Sequence, residues 1–379
     1  MYVRTLAFGI VGVFILLLIN TEADLENVHP LRNGKFFPFF GVGLVRFENG
    51  LCGGNSTLEG TCYTRRQCAL ADGVGTVRCA SGIGICCIIQ RTCGETSSLN
   101  NTYFVSPGFP TAYTNTSICT FTISRCNSDI CQVRIDFLSF NLAQPNDNGS
   151  CVTDALIITG GASNVPVLCG ENSGQHIYVD FNDANNIILT ISTSTSSIAS
   201  RAWNIKIAQI ACNCPNRAPS GCTQYYTELS ATVNSFNYGS AGSQLGTRQL
   251  VNENYGVCVA MLAGYCGIQW SQSGGAYSFT VTNNTYTNVG TGTIGTDAAA
   301  ILGSNCTTDF VVIPAPIYIN DTLVNTDRFC GNGFPTLISY SKPFVLTVVT
   351  NTNEINDTGN RGFSLTYTQI PCSGAALLG

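Results

Sequence analysis

From Cys93 onward, apolar and polar residues alternate with a period of two in short runs. Cys131-Gln-Val-Arg-Ile-Asp-Phe, His176-Ile-Tyr-Val-Asp-Phe, Asn186-Ile-Ile-Leu-Thr-Ile and Trp203-Asn-Ile-Lys-Ile each place β-branched or aromatic side chains on one face. Gly, Pro, Asn and Ser clusters separate the runs, so they predict short strands with one buried face. Two antiparallel sheets packed face to face bury such faces together, and an all-β chain follows. A different pattern opens the chain. Arg4 precedes the apolar run Leu6 to Ile19, and Thr21-Glu22-Ala23 follows it. A run of about 14 residues is short for a hydrocarbon layer of about 30 Å, and a small-x-small site ends it. Residues 1–23 therefore read as a signal peptide, with an uncleaved anchor as the alternative. No later stretch reaches spanning length without polar interruption, and the tail 373–379 is too short for a lipid-anchor signal. The expectation is a secreted, extracellular chain with no membrane span after cleavage.

The strand pattern occurs twice. Cys151-Val-Thr-Asp154-Ala-Leu-Ile-Ile aligns with Cys306-Thr-Thr-Asp309-Phe-Val-Val-Ile, and Cys169-Gly170 with Cys330-Gly331. Asn204-Ile-Lys-Ile-Ala-Gln-Ile-Ala-Cys212 aligns with Ser364-Leu-Thr-Tyr-Thr-Gln-Ile-Pro-Cys372. This internal duplication divides residues 93–214 from 222–372, with 215–221 as linker.

Composition narrows the classes. Only 10% of the 379 residues are charged, 44% are hydrophobic, and the net charge is −5. No Lys/Arg cluster offers a nucleic acid a positive face. Twenty Cys against two His favour a disulfide framework over metal sites. Eight Asn-x-Ser/Thr sequons suit an exported glycoprotein: Asn55, Asn100, Asn115, Asn148, Asn283, Asn305, Asn320 and Asn356. Residues 24–51 lack Cys and carry Phe36-Phe37-Pro38-Phe39-Phe40, which reads as a packed strand or, alternatively, a contact segment.

Residues 52–87 hold Cys52, Cys62, Cys68, Cys79, Cys86 and Cys87. So small a segment needs bridges, each contributing roughly 2–4 kcal/mol. Adjacent Cys86 and Cys87 must reach different partners. Gly60-Thr61-Cys62, the step to Cys68 and the closing Cys86-Cys87 resemble the arthropod clip domain, although the stretch from Cys68 to Cys79 is shorter. The resemblance implies Cys52–Cys86, Cys62–Cys79 and Cys68–Cys87.

The opening Cys93…Ser106-Pro-Gly-Phe-Pro110…Tyr113…Cys119, the Cys-x-x-Asp at Cys151 and Asp154, and Cys169-Gly170 resemble a CUB domain. Residues 222–372 resemble a second, divergent copy, with Arg361-Gly-Phe363 near the last strand. The resemblance implies two jelly-roll-like β-sandwiches with bridges Cys93–Cys119 and Cys151–Cys169, and Cys222–Cys258 and Cys306–Cys330 in the second. In the internal alignment Cys131 corresponds to Cys266 and Cys212 to Cys372. Each pair lies at the start of one strand and the end of the last, so antiparallel neighbours would join Cys266 to Cys372. Cys126 and Cys131 would then pair with Cys212 and Cys214 in either order. Local bridges Cys126–Cys131 and Cys212–Cys214 are the alternative.

Catalytic chemistry finds little support. A serine protease needs a His base and an Asp orienter, yet the histidines are His29, near the cleavage site, and His176, which reads as an exposed strand residue. Zinc lacks a ligand set. Glu228, Glu253 and Glu354 stand singly in loop-like surroundings, so no glycosidase pair is indicated. Many CUB domains hold Ca²⁺ through a Glu, the Cys-x-x-Asp carboxylate and a second Asp. Asp154 and Asp309 fill the middle position, but the Glu position holds Ala143, and the second Asp is Ser194 in one copy and Asn351 in the other. Asp147 is a weak substitute. The expectation is no bound Ca²⁺ and no cofactor, with the retained Asp capping a loop. Tyr225, Tyr226, Tyr238, Tyr255 and Tyr265 offer a loop surface, with the core as the alternative. The function expected is non-catalytic binding of an extracellular protein or glycan. A protease-cascade regulator and a structural coat glycoprotein are the alternatives.

Overall fold

The computed structural model describes residues 46–53, 58–182, 186–194, 201–239, 248–282, 294–355, 357 and 359–372. Residues 1–23, expected to be a signal peptide, His29, the Phe36 to Phe40 patch, the sequons Asn55, Asn283 and Asn356, and the tail 373–379 lie outside the described residues. The chain divides into two compact units, one up to Ile89 and one from Gln90 onward.

The first unit contains β1 (Leu51–Gly53), β2 (Glu59–Tyr63), helix α1 (Arg65–Leu70), β3 (Val74–Cys79) and β4 (Gly84–Arg91). β2 pairs antiparallel with β1 and β4, and β3 with β4. α1 is short, and its start is set by a capping box. The Gln67 N–H donates to Thr64 Oγ1 while the Thr64 N–H donates to Gln67 Oε1. Successive side chains of β4 point to opposite faces, so neighbouring Cys86 and Cys87 bridge to Cys52 and Cys68 respectively. Cys62–Cys79 closes the set.

The second unit holds two β-sandwiches. The first comprises β5 (Thr96–Ser97), β6 (Thr102–Val105), β7 (Ser117–Ile123), β8 (Ile130–Asn141), β9 (Asp154–Thr159), β10 (His176–Asp180), β11 (Ile187–Thr193) and β12 (Ala202–Ala211). The four alternating stretches lie on β8, β10, β11 and β12. One sheet has the order β6-β12-β8-β10 and the other β5-β7-β11-β9. On β11, Ile187, Leu189 and Ile191 are buried between the sheets and the residues between them are half-buried, as the period of two requires. Trp203 fills the core against Phe104 and Tyr113.

The second sandwich comprises β13 (Cys222–Tyr226), β14 (Ser230–Asn234), β15 (Asn254–Val259), β16 (Tyr265–Gln272), β17 (Phe279–Thr280), β18 (Ala300–Leu302), β19 (Phe310–Val312), β20 (Pro316–Tyr318), β21 (Arg328–Gly331), β22 (Leu337–Ser339), β23 (Phe344–Val349) and β24 (Gly362–Pro371). Its sheets run β14-β24-β16-β22-β20 and β13-β15-β23-β19-β21-β18, with β17 against β24. The internal repeat is visible in this order: β14-β24-β16-β22 repeats β6-β12-β8-β10, and β13-β15-β23-β19 repeats β5-β7-β11-β9. Even the parallel first pairing recurs, β5 with β7 and β13 with β15.

Bridges brace both copies at equivalent places: Cys93–Cys119 and Cys222–Cys258, Cys151–Cys169 and Cys306–Cys330, Cys131–Cys212 and Cys266–Cys372. The start of β8 lies against the end of β12, with Ile130 opposite Ala211, which sets Cys131 beside Cys212. Cys126 and Cys214, expected to share in that pairing, stand outside the nine bridges. Local hydrogen bonds hold both backbones: the Cys126 N–H donates to Gln209 Oε1 and the Cys214 N–H to the Ala211 carbonyl.

The two sandwiches are joined by buried polar side chains. Asn237 is fully buried in the second sandwich. Its N–H donates to Asn172 Oδ1, its Oδ1 accepts from the Glu171 N–H, and its Nδ2 donates to Gln144 Oε1 and the Arg248 carbonyl. Gln175 Nε2 donates to the Ser235 carbonyl and Gln224 Nε2 to Gln175 Oε1. Gln132 clasps the linker, donating to the Ala218 carbonyl and accepting from its N–H. Such a network is satisfied in one relative placement and penalised in others. Gly170 makes room for it: its φ is +75°, and a Cβ there would collide with the Asn237 side chain. Gly170→Ala should therefore destabilise the joint by about 1–3 kcal/mol and speed hydrogen exchange at the Glu171 and Asn237 amides while the core strands stay protected. Unchanged protection at those two amides would show that the interlock does not hold the joint.

Candidate functional site

The carboxylate that sequence singled out in the first copy, Asp154, opens β9 and is fully buried with Arg201, the residue before β12. The pair is bidentate. Arg201 Nε donates to Asp154 Oδ2 at 2.7 Å and Nη2 to Oδ1 at 2.8 Å. Backbone N–H groups of Ala143 and Ser194 donate to the same carboxylate. The guanidinium also reaches the carbonyls of Tyr113, Asn115 and Ser194. A planar fork with five donors suits this position, where one buried cation must tie several loop segments together. Asp154 therefore has its cation within the chain. Asp147 is fully exposed and lies 3.8 Å from Arg248, a solvated pair of small energetic weight.

The second copy keeps the frame and changes the contents. Asp309 is fully buried, and its Oδ1 accepts from the Asn351 N–H at 2.6 Å, as Asp154 Oδ1 does from Ser194. No arginine lies on Asp309 among the described ion pairs. Arg361, aligned with Arg201, turns outward with its guanidinium 4.7 Å from the Tyr277 ring centre. Glu354 and Asp357 approach instead, and ligand-capable oxygens of the three carboxylates lie within 4.8 Å of one another. Glu354 Oε1 accepts from Gln249 Nε2 and Oε2 from Asn360 Nδ2. Burial, and then the neighbouring Asp309, pushes the Glu354 carboxyl up to about 9. Asp309 and Asp357 are also shifted upward, mainly by burial. Counting ligands column by column hid this cluster: Glu354 sits three residues beyond Asn351 and Asp357 six beyond it.

Other sequence candidates fall elsewhere. His176 is buried at the joint rather than exposed. β10 is the edge of its sheet and runs against β13, so both faces of His176 are covered. Its Nε2 lies 3.1 Å from the Tyr225 nitrogen, whose N–H it accepts when neutral, and 3.0 Å from the Tyr225 carbonyl, to which it donates when protonated; the ring lies edge-on to Tyr178 and Tyr226. Burial, then the positive charge of Arg134, lowers its pKa to about 4, against smaller opposing effects from the Tyr225 backbone and Glu228. Tyr225 and Tyr255 are buried, and Tyr226, Tyr238 and Tyr265 half-buried, so these tyrosines form no exposed loop surface. Glu253 is buried with neither carboxylate oxygen hydrogen-bonded, and burial holds its carboxyl well above the usual range. Glu228 is exposed, its backbone carbonyl accepting from Tyr367 and Gln369. A cleft of about 590 Å³ opens beside the joint, lined in part by Ser163, Asp180, Tyr225 and Met261.

Residues 93–207 match the CUB domain family and residues 219–370 the animal CUB domain family. The chain is thus a CUB-domain protein carrying two such domains. CUB domains commonly mediate extracellular protein binding, and no catalytic family is indicated. No curated protein matches the chain. Among solved structures, the CUB1-EGF-CUB2 domains of rat MASP-1 are 14% identical, with 72% of this chain and 99% of that one covered at a TM-score of 0.25. The human MASP-1/3 CUB1-EGF-CUB2 domain is 13% identical, covering 71% and 98% at a TM-score of 0.25. The full extracellular region of zebrafish Gpr126/Adgrg6 is 10% identical, covering 77% and 38% at a TM-score of 0.27.

Tested against the Ca²⁺ that many CUB domains hold, the two copies differ. In the first, Arg201 occupies both Asp154 oxygens and the residues do not fit a cation. In the second, Asp309, Glu354 and Asp357 supply the hard oxygen donors that Ca²⁺ takes.

Two outcomes follow from these geometries. Asp154→Ala or Arg201→Met alone should cost about 3–5 kcal/mol in denaturant unfolding, because each leaves a buried charge uncompensated. The double variant Asp154→Leu/Arg201→Met should recover most of that loss, and a cost equal to the sum of the singles would deny the coupling. For His176, the unfolded imidazole takes up a proton that the folded joint excludes as pH falls from 6.5 to about 4. The His176 share of the stability should decline across that window by up to about 1.4 kcal/mol per unit and stay flat above it, while the raised carboxyls of Glu354 and Glu253 contribute with the opposite sign as pH rises. His176→Gln should remove that share of the slope, and parallel profiles for the two proteins would count against it.

Proposed function

We propose that this chain is a secreted, non-catalytic glycoprotein that binds an extracellular protein partner through its paired CUB domains. The observation that carries the reading is the buried interlock around Asn237, which holds two domains and the cleft beside them in one arrangement. A partner gripped at two fixed places loses less freedom to ordering than one gripped by independently moving domains. Export is supported by the nine bridges, by the apolar leader and by the exposure of Asn115, Asn305 and Asn320. Asn100 suits a glycan less well, since its Oδ1 accepts from the Gln209 N–H and the Thr102 of its sequon is buried.

A second reading, a regulator of an extracellular protease cascade, is favoured by the N-terminal module, whose three bridges follow the clip-like pairing. The full chain coupled to resin should retain a discrete protein from extracellular fluid, and Met261→Arg, at an exposed position of the cleft, should reduce retention. Retention of nothing would count against partner binding, and equal retention by Met261→Arg would place the contact outside the cleft. Adding the full chain to an activating protease mixture without any change in rate would count against the regulator.

A further inference from the structure

A strand that ends a sheet exposes unpaired N–H and carbonyl groups, and folded proteins shorten, cover or charge such edges. In the second unit most edges are managed in one of these ways. β5 and β18 are two and three residues long. β10 and β13 face each other across the joint. β9 is backed by Leu168, which exchanges both backbone hydrogen bonds with Leu156, and β20 by the segment after it, where the Val324 N–H donates to the Pro316 carbonyl. β14 is the exception. It ends its sheet beside β24, and among the described residues no strand lies beyond it. It is five residues long, carries no charge and no proline, and pairs without a register shift.

The hydrogen bonds at its ends fix which groups face outward. The Ser235 N–H donates to the Phe363 carbonyl, and the Leu229 carbonyl accepts from the Gln369 N–H. In an antiparallel pair every second residue bonds across, so Ala231 and Val233 bond to β24 while Ser230, Thr232 and Asn234 turn their backbone groups to the open side. Ser230 and Thr232 are exposed, yet their hydroxyls leave the edge clear. Ser230 Oγ donates back to the Tyr367 carbonyl, and Thr232 Oγ1 lies 3.4 Å from Thr366 Oγ1.

The first sandwich shows what such an edge takes. There the equivalent strand, β6, has an outer neighbour: β4 follows it in the same sheet and ends at Arg91, and Thr92 Oγ1 donates to the Val105 carbonyl at 3.2 Å. An extended stretch of chain from outside the sandwich thus occupies the position that is open beside β14. Both ends of β14 lie against the first sandwich, where the Tyr226 ring meets His176 and the Ser235 carbonyl accepts from Gln175 Nε2. A whole second copy would have to fit beside that neighbour, whereas one added strand widens the sheet by only about 4.8 Å.

We propose that the outer edge of β14 takes one extended, uncharged segment of a partner polypeptide as an added strand of its sheet. Main-chain hydrogen bonds to Ser230, Thr232 and Asn234 hold it, as in strand addition generally. The inference rests on the protein-binding reading and adds to it a main-chain contact apart from the cleft.

Titration of the full chain with a soluble, end-blocked peptide of alternating threonine and valine should show saturable binding. It should slow hydrogen exchange at the Ser230, Thr232 and Asn234 amides and leave Ala231 and Val233, already bonded to β24, unchanged. The same peptide N-methylated at alternate amides should not bind. Thr232→Pro removes an N–H that faces the open side, a change an edge strand tolerates, and should weaken binding about tenfold or more through the lost bond and the intruding ring. Absence of saturable binding, or binding that leaves the three outward amides unprotected in the unaltered chain, would overturn the proposal. Retention of a protein from extracellular fluid that is lost in Met261→Arg but unchanged in Thr232→Pro would overturn the edge contact and leave partner binding standing.

Discussion

A carboxylate buried at the end of a β-sandwich must be neutralised or supplied with donors, and both copies of this fold face that demand at the same place. Asp154 and Asp309 are each fully buried, and each receives one backbone N–H from the loop after the penultimate strand, from Ser194 or from Asn351. Desolvating an ionised carboxylate costs several kcal/mol unless charge and hydrogen bonds are returned to it. In the first copy the return comes from Arg201, and the same guanidinium gathers the carbonyls of Tyr113, Asn115 and Ser194. The loop end of that sandwich is thus organised around one ion pair. In the second, the aligned arginine is directed elsewhere and two further acids crowd in. Duplication preserved the backbone frame while the side chains came to solve the charge problem in opposite ways.

The chain's low charge explains how its domains are joined. With 10% charged residues, the joint is made mainly of amides: Gln132, Asn172, Gln175, Gln224 and Asn237. An amide carries donors and an acceptor, so it can be satisfied when buried without the desolvation penalty of an ion. Arg217 with Asp180 adds a partly exposed ion pair at the margin. A joint built this way depends on geometry more than on ionic strength, because salt screens charges and leaves neutral hydrogen bonds largely unaffected.

Much of the fold was legible from period-two alternation, because a strand covered on one face writes its burial directly into its sequence. β8, β10, β11 and β12 coincide with the four alternating stretches, and the repeat of motifs foreshadows the repeat of sheet order. The short additions β17, β18, β20 and β21 left no such mark, since two to four residues contain too little periodicity. His176 was misread for a related reason. Alternation assumes one solvated face, but the contact with β13 covers both. Tyr225 lies on the other side of that contact and is buried for the same reason. Arg201 carried one faint signal, an arginine two residues before a core tryptophan in a chain with few charges. Glu354 and Asp357 could not be found by matching columns to a motif, because the loop that carries them folds back onto Asp309.

The joint also disposes of an exposure problem. β10 and β13 are both sheet-edge strands, and an edge offers unpaired backbone groups to any passing strand. Here they face each other, and the His176 ring engages the Tyr225 backbone where a ladder would otherwise be required. Separating the sandwiches would uncover both edges and strip the Asn237 side chain of its partners at once. Opening is therefore opposed by several losses that fall together rather than contact by contact. His176, through the Tyr225 N–H, and Glu354, through the Asn148 carbonyl, are two buried titratable residues that touch across the joint.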